Sequence, residues 1–131
     1  MPLRIILDSN FLFIPLQFRI DIFEELERVT NRKVEPILLV PVLEEVKMLS
    51  EKEGVKARQA AAVLKYVEKL KPLSCKVKPY ETVDDLILRL AIEWKCPVAT
   101  NDRILRKRLR DINNTVIYLR QRSRLEIDGQ V

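Results

Sequence analysis

Short apolar runs alternate with longer amphipathic segments along most of the chain. Four of the runs predict buried strands, at residues 3–7, 37–40, 97–100 and 116–119. Apolar positions that recur every three or four residues predict helices, at residues 19–30, 41–49, 55–71, 82–94 and 103–112. Two shorter extended segments are also predicted, at residues 76–79 and, as an edge strand, at residues 124–127.

Strands that alternate with helices are typical of βαβ units, so the chain is predicted to be an α/β protein with a parallel sheet. Its 131 residues suit one domain that covers residues 1–131. In sheets of this kind, ligands bind at the carboxyl ends of the strands. Candidate catalytic residues are therefore expected where a strand is followed by a helix.

Acidic residues occupy those strand ends or the first turns of the following helices. Asp8 ends the first strand, and Asp102 comes just after the third. The complete set of acids expected at this edge is Asp8, Glu44, Glu45, Asp84, Asp85 and Asp102. Taken singly, each acid has a simpler explanation: it could cap a helix, interact favourably with a helix dipole or lie solvated in the first turn of a helix. Asp85 fits a capping box with Thr82, but the joint placement of the acids on one edge favours a shared site.

The composition excludes several other kinds of active site. The chain has no histidine, which removes Ser-His and Cys-His catalysis and histidine-based zinc sites. Its only glycines are Gly54 and Gly129, too few for a glycine-rich phosphate loop. Converging carboxylates repel one another, and Mg²⁺ or Mn²⁺ would remove that cost because hard cations prefer oxygen ligands. The acids therefore predict a divalent-metal site.

An excess of basic residues favours a polyanionic partner, nucleic acid above all, because the formal net charge is +5. Cationic side chains share one face of the helix after Asp102, and others follow the fourth strand: Arg103, Arg106, Lys107, Arg110, Arg120, Arg122 and Arg124. The alternative for these residues is a solvated face without a ligand. Their connection to the acidic edge through Asp102 favours phosphate binding. Acids for a metal and a basic surface for a backbone together indicate a phosphodiesterase.

Four segments resemble, in order, the motifs of the PIN-domain nuclease family. Residues 6–12 resemble the opening strand–Asp–small–Asn signature, and residues 98–102 resemble the Thr-x-Asp element. Between them, residues 42–49 and 84–87 resemble the second and third acidic elements. The match covers nearly the whole chain, which makes the set of four more specific than any one motif.

The resemblance implies a three-layer α/β/α fold with a central, mainly parallel sheet of four or five strands. It also implies an endonuclease that acts on RNA and depends on Mg²⁺ or Mn²⁺. RNA would contact the basic residues named above. Carried over by position, the metal-binding and catalytic acids are Asp8, Glu45, Asp84 and Asp102, with Asn10 and Thr100 as supporting polar groups.

Two of these positions have a neighbour that could take the same role. Glu45 fits better than Glu44, because an apolar residue and then a leucine follow it at the spacing of the family motif. Asp84 has the commoner spacing to Asp102, which leaves Asp85 as the cap. One branch of the family has two successive aspartates at this position, and this keeps Asp85 as an alternative ligand.

Residues 95–108 resemble most strongly the branch that contains the eukaryotic small-subunit-processome nuclease and its archaeal relatives. That branch implies rRNA processing or ribosome biogenesis, with ribosome-assembly factors as partners. The VapC toxins are the second branch, and they imply a toxin ribonuclease with an antitoxin partner. A non-catalytic RNA-binding assembly module is the remaining alternative. A homodimer is also expected, because dimerisation is common in the family.

The sequence predicts a cytoplasmic protein that does not enter a membrane. Asp8 interrupts the apolar N-terminal run, and no apolar run approaches the ~18 residues needed to span a bilayer. The two cysteines, Cys75 and Cys96, are too few for a disulfide framework and suit a reducing compartment.

Overall fold

A five-stranded sheet forms the centre of the molecule in the computed structural model, which describes residues 1–130. The strands are β1 (Leu3–Leu7), β2 (Val34–Ile37), β3 (Val98–Ala99), β4 (Val116–Arg120) and β5 (Arg124–Asp128). Their order across the sheet is β2-β1-β3-β4-β5. The first four run parallel, and β5 pairs with β4 in the antiparallel direction. The prediction of a mainly parallel sheet is confirmed.

Helices fill most of the connections between the strands. The described part of the chain contains six α-helices, which are α1 (Ile14–Phe18), α2 (Ile22–Thr30), α3 (Val40–Ser50), α4 (Val55–Tyr66), α5 (Val83–Trp94) and α6 (Arg103–Asp111). Two short 3₁₀ helices cover Asn10–Phe13 and Val67–Lys69. Parallel crossovers are right-handed, so the helices before and after β2 lie on opposite faces of the sheet. The expected three-layer α/β/α arrangement follows.

The direction in which strands are added to the sheet reverses beside β1. The chain moves from β1 to β2 on one side and then crosses to β3 on the other. The gap between the carboxyl ends of β1 and β3 is therefore a topological switch point, where open α/β sheets bind ligands. Asp8 directly follows β1 and Thr100 directly follows β3, so both lie at this point.

The helix predicted at residues 19–30 is present as α2 but begins three residues later, at Ile22, and the short helix α1 before it was not predicted. Arg19 ends α1 in a left-handed conformation with φ of 56°. Asp21 then caps α2, and its carboxylate accepts hydrogen bonds from the amides of Phe23 and Glu24. Such a cap fixes where a helix begins and is worth about 1 kcal/mol.

The second strand lies earlier than the apolar run at residues 37–40 predicts. β2 stops at the first residue of that run, and α3 begins at its last. Pro41 suits the first turn of a helix, and the edge position of β2 tolerates Pro36. Leu38 and Leu39 are buried all the same, so the run indicates burial rather than a strand.

Two further boundaries differ from the predictions. The helix predicted at residues 55–71 ends as an α-helix at Tyr66, and its last turn tightens into a 3₁₀ helix. Residues 76–79 form no strand, because the Lys76 carbonyl accepts a hydrogen bond from the Arg89 side chain at 2.7 Å instead of pairing with a neighbouring strand. The predicted edge strand at residues 124–127 is confirmed as β5.

The apolar faces of the sheet and the helices meet in one core. Ile5, Ile6 and Leu7 of β1 are fully buried there, together with Leu86 and Ile87 of α5. Within residues 1–130, every buried side-chain nitrogen or oxygen has a hydrogen-bond partner. The core forms a rigid base for the polar groups at the carboxyl edge of the sheet.

None of the helices in this part of the chain is both long enough and apolar enough to cross a membrane.

Candidate active site

Asp8 lies at the centre of the site, directly after β1. It is only 3 % exposed, and its amide donates to the Ala99 carbonyl at 3.0 Å. Its Oδ1 accepts a hydrogen bond from the Ser9 amide at 2.8 Å, and its Oδ2 accepts one from the Thr100 hydroxyl at 2.7 Å. Burial raises the pKa of the Asp8 carboxyl, although both hydrogen bonds act in the opposite direction. The fold therefore holds a buried carboxyl group in one orientation at the switch point.

Thr100 and Asn10 connect the ends of β1 and β3, which Asp8 and Asp102 follow. The Thr100 hydroxyl donates to Asp8 and accepts from the Asp102 amide at 3.1 Å. Asn10 Oδ1 accepts from the Asn101 amide at 3.1 Å, and Asn101 Oδ1 accepts from an amide of β4 at 2.9 Å. These bonds join three neighbouring strands and fix Asp8 relative to Asp102.

Asp102 caps α6 and also faces the other acids. Its Oδ1 accepts hydrogen bonds from the amides of Ile104 at 2.8 Å and Leu105 at 3.1 Å. Among residues 1–130, no hydrogen-bond donor contacts its Oδ2. The charge of Asp102 raises the pKa of both Asp8 and Asp84. One oxygen thus has a structural role, while the other remains available to a ligand.

Glu45 and Asp84 complete the acidic edge from α3 and α5. Burial raises the pKa of Glu45, and the negative charges of Asp8 and Asp84 raise it further. Burial likewise raises the pKa of Asp84, and the charge of Asp102 adds to this effect. Acids that lie far apart in the sequence therefore converge as the strand-end argument predicts. We call Asp8, Glu45, Asp84 and Asp102 the acidic cluster.

The two alternative acids lie outside this cluster. Asp85 forms the predicted capping box with Thr82, and its Oδ1 accepts a hydrogen bond from Arg108 at 2.8 Å. The hydrogen bond from Arg108 is the main reason that the pKa of Asp85 is lowered. Glu44 points to solvent and is exposed. Sequence reasoning gave Arg108 no role, because only the packing of α6 beside α5 brings it to Asp85.

The acidic cluster suits a hard divalent cation by its chemistry. All its donors are carboxylate oxygens, which Mg²⁺ and Mn²⁺ prefer. Burial and mutual repulsion both raise the pKa of Asp8, Glu45 and Asp84, and a cation would reverse that preference for the neutral state. Within residues 1–130, no three acid or cysteine side chains lie close enough together to hold an ion as they stand.

Much of the predicted basic surface has partners inside the protein. Arg106 and Arg110 both bind Asp128 of β5, at 3.0 and 3.1 Å. Other pairs join Lys107 to Asp111 and Arg120 to Glu126. The two ion pairs with Asp128 attach β5 to α6, and the sequence pattern could not predict them because they depend on how β5 pairs in the sheet.

The Asp102 cap leads to a stability prediction that separates its two roles. Both Asp102→Asn and Asp102→Ala remove the charge, but asparagine can still accept hydrogen bonds at the start of α6. We expect the alanine variant to be less stable than the asparagine variant by about 1 kcal/mol. Urea unfolding followed by circular dichroism measures the difference. Equal stability of the two variants would show that the cap contributes nothing.

Known proteins with a similar sequence or fold match nearly the full length of the chain. The family described as PIN like domain matches residues 5–122. Ribonuclease VapC4 of Methanocaldococcus jannaschii is 33 % identical over 129 residues, which are 98 % of each protein. The rRNA-processing protein fcf1 of Schizosaccharomyces pombe is 36 % identical over 112 residues, which are 85 % of this chain and 55 % of that protein.

A solved structure supports the same relationship. The structure of the PIN domain endonuclease Utp24 aligns with a TM-score of 0.81 and 27 % identity, over 99 % of this chain and 96 % of that chain. Both branches that the sequence motifs indicate are thus represented among the relatives. The sequence match and the structural match agree, and the chain belongs to the PIN-like domain family.

Proposed function

We propose that this protein is a divalent-metal-dependent endoribonuclease that hydrolyses phosphodiester bonds in RNA. The observation that carries the proposal is the acidic cluster around buried Asp8 at the switch point of the sheet. Similarity to Ribonuclease VapC4 and to the PIN domain endonuclease Utp24 supports nuclease activity. The positive net charge supports a polyanionic substrate.

The metal-binding residues in this proposal are Asp8, Glu45, Asp84 and Asp102. The chemistry that Mg²⁺ or Mn²⁺ would supply there is a lower pKa for a water molecule and neutralisation of charge on the phosphate. Asp8 is held by Thr100 and Ser9, so its carboxylate needs no reorganisation before it binds an ion. This applies to Asp8 alone, because within residues 1–130 no three acids lie close enough together to hold an ion as they stand.

The negative charge of the acidic cluster explains why the proposed hydrolysis needs a cation. Without one, the acidic cluster repels the negatively charged phosphate of RNA. Thr100 and Asn10 would act as positioning residues, because they tie Asp8 and Asp102 to fixed strand ends. Hydrolysis would add the hydroxyl of water to phosphorus and a proton to the leaving oxygen. The retained set of acids weighs against the non-catalytic RNA-binding module.

We propose rRNA processing or ribosome biogenesis as the biological role. Two rRNA-processing proteins, from Schizosaccharomyces pombe and Saccharomyces cerevisiae, are 36 % and 31 % identical over 112 residues. A toxin role is the second candidate, because Ribonuclease VapC4 matches over 98 % of its own length. Ribosome-assembly factors or an antitoxin would then be the respective partners. A homodimer and a cytoplasmic location stay predictions.

The proposed activity is tested with end-labelled RNA and purified protein. We expect internal cleavage with Mn²⁺ or Mg²⁺ and none in excess EDTA. Cleavage that persists in excess EDTA would contradict metal dependence, and no cleavage with either metal would contradict the nuclease proposal.

The biological role is tested by offering pre-rRNA fragments and tRNA at equal concentration. Cleavage confined to pre-rRNA sites would support rRNA processing. Cleavage confined to tRNA, together with a small antitoxin gene beside this one, would support the toxin role instead.

A further inference from the structure

Asp84 differs from Asp8 and Asp102 in how the fold places it. Asp8 and Asp102 closely follow β1 and β3, and hydrogen bonds with the Thr100 side chain fix both of them. Asp84 instead lies in the first turn of α5. Residues 70–82 precede that helix, and they belong to no strand of the sheet. The position of Asp84 is therefore not set directly by the end of a strand.

The contacts at the start of α5 determine where the helix begins, but not where it lies relative to α6. The capping box with Thr82 is local to α5. Arg89 binds Glu81 at 2.9 Å and the Lys76 carbonyl at 2.7 Å, so it attaches the preceding segment to α5 itself. Leu86 is fully buried, but apolar burial is not directional. A directional contact from another element would hold the first turn in one place.

Arg108 of α6 supplies such a contact. One of its guanidinium nitrogens donates to Asp85 Oδ1 at 2.8 Å, and the two side chains are 40 % and 41 % exposed. In the part of the chain that the structure describes, no other hydrogen bond or ion pair between side chains joins α5 to α6. Asp85 is the neighbour of Asp84, and Asp102 caps the helix that carries Arg108. The pair therefore links the two helices at which Asp84 and Asp102 lie.

The positive charge of Arg108 also acts on Asp84. Burial and the charge of Asp102 raise the pKa of Asp84, whereas the charge of Arg108 lowers it. A cation at this place opposes the binding of a metal ion, because like charges repel. Removal of the charge alone should therefore strengthen metal binding, whereas loss of a group that holds Asp84 in place should weaken it.

From these contacts we infer that Arg108 is a positioning residue of the metal site, which acts through Asp85 to hold Asp84 within reach of Asp102. This inference rests on the metal site of the proposed function and adds a residue that does not touch the ion. No three acids among residues 1–130 can hold an ion as they stand, so binding must draw the acidic cluster together. That rearrangement costs less when Asp84 starts from one fixed position.

The test measures binding of Mn²⁺ alone, without RNA, by electron paramagnetic resonance of the free ion at pH 7. Groups that support a metal ligand typically contribute tenfold or more to affinity, and Arg108 acts one residue further away. We therefore expect Arg108→Gln to bind Mn²⁺ about three- to tenfold more weakly. Arg108→Lys should stay within about twofold of the wild type, because an ammonium can replace the single nitrogen that contacts Asp85. Unchanged or tighter binding by Arg108→Gln would overturn the inference.

Asp85→Ala and the double variant show whether Arg108 acts through Asp85. Thr82 can still cap α5 in Asp85→Ala, because its hydroxyl accepts from the backbone amide of residue 85. If the ion pair is the route, all three variants bind Mn²⁺ more weakly, and the two single effects do not add in the double variant. A purely electrostatic effect predicts tighter binding by Arg108→Gln, weaker binding by Asp85→Ala and wild-type binding by the double variant. That pattern would contradict a positioning role.

Lys107 supplies the matched control on the same helix. Lys107→Gln makes the same charge change one residue away, but Lys107 pairs with Asp111 of its own helix at 3.0 Å. It should alter Mn²⁺ affinity by less than about twofold, because solvent and salt screen an exposed charge. Thermal melting in EDTA checks folding. Exposed ion pairs contribute little to stability, so Arg108→Gln should lower the melting temperature by less than about 4 °C.

Cleavage assays separate this role from a direct contact with RNA. If Arg108 positions the metal site, saturating Mn²⁺ should restore cleavage by Arg108→Gln towards the wild-type rate. A loss of cleavage that persists at saturating Mn²⁺, with unchanged metal binding, would mean that Arg108 acts on the substrate and would overturn the inference. Failure of the nuclease proposal looks different, because the variants would then differ in Mn²⁺ binding while RNA stays intact. A wild type that binds no Mn²⁺ would contradict both the metal site and the role of Arg108.

Discussion

Asp8→Asn is expected to lower RNA cleavage by at least about 100-fold while the protein stays folded. Loss of a residue that hydrogen-bonds to a metal ligand typically costs 10–100-fold in activity or metal affinity, and loss of a proposed ligand itself should cost at least the upper value. Asparagine has nearly the same shape, and its side-chain oxygen can still accept a hydrogen bond from Thr100 or Ser9. The variant therefore removes the charge while the surrounding contacts persist.

A matched variant separates this effect from a general change of charge at the acidic edge. Glu44→Gln also removes one acid, but Glu44 is exposed to solvent outside the acidic cluster. We expect it to keep at least half of the wild-type rate when both variants are compared in a single-turnover cleavage assay with end-labelled RNA and Mn²⁺. Wild-type cleavage by folded Asp8→Asn would refute the proposed centre, and loss of activity in Glu44→Gln would move the ligand assignment away from Glu45.

The alternation of apolar runs and amphipathic segments predicts much of the fold, because burial and periodicity are local properties. β1 has the predicted bounds, and α5 begins after the predicted cap at Thr82. The failures occur where an apolar run is buried without being a strand, as at Leu38 and Leu39. They also occur at residues 19–21, where the predicted helix starts too early, because Arg19 is a left-handed residue that ends α1 and no local pattern marks that conformation.

The convergence of the acids was predictable for a related reason. The carboxyl ends of parallel strands share one edge, so Asp8 and Asp102 could be placed together without coordinates. The choice between Asp84 and Asp85 is harder, and the structure supports Asp84 because Arg108 and the capping box occupy Asp85. Contacts of this kind depend on how α5 and α6 pack, which the sequence pattern does not encode.

Exposed arginines without an ion-pair partner could not be distinguished in the sequence from arginines that are paired. Arg106 and Arg110 look like members of a phosphate-binding face, yet both bind Asp128. Arg122 looks no different, yet it is exposed on a turn with two left-handed residues, and no carboxylate within residues 1–130 pairs with it. The difference arises from the register of β5 against β4, which the turn residues and the cross-strand contacts determine together.

Mn²⁺ is expected to stabilise the protein strongly at neutral pH. A ligand that binds only the folded state at 100 times its dissociation constant adds about 2.7 kcal/mol to the free energy of unfolding. The acidic cluster supplies the reason, because Asp8, Glu45 and Asp84 all have a raised pKa and so oppose folding when ionised. A bound cation reverses this effect.

The dependence on pH follows from the direction of these pKa shifts. A carboxyl whose pKa is raised by folding destabilises the folded state above the raised pKa, and this penalty disappears as the pH falls to its ordinary value near 4. Glu81, with a pKa of about 2, and Asp85 shift the other way and lose their contribution in acid. Comparison of the wild type with Asp8→Asn isolates the penalty at Asp8. Without metal, Asp8→Asn should be the more stable protein at pH 7, and the difference should vanish towards pH 4.

Thermal melting of wild type and Asp8→Asn, with Mn²⁺ or EDTA at pH 7 and pH 4.5, tests both expectations. NaCl at matched ionic strength controls for general screening, which should reproduce little of the Mn²⁺ effect because the cluster is partly buried. The stabilisation by Mn²⁺ should shrink at pH 4.5, where protons compete for the carboxylates, and in Asp8→Asn, which lacks one ligand. Equal stabilisation of both proteins would mean that the ion binds elsewhere on the surface. The melting experiment therefore locates the metal independently of any cleavage assay, since it responds to the charge of Asp8 and not to turnover.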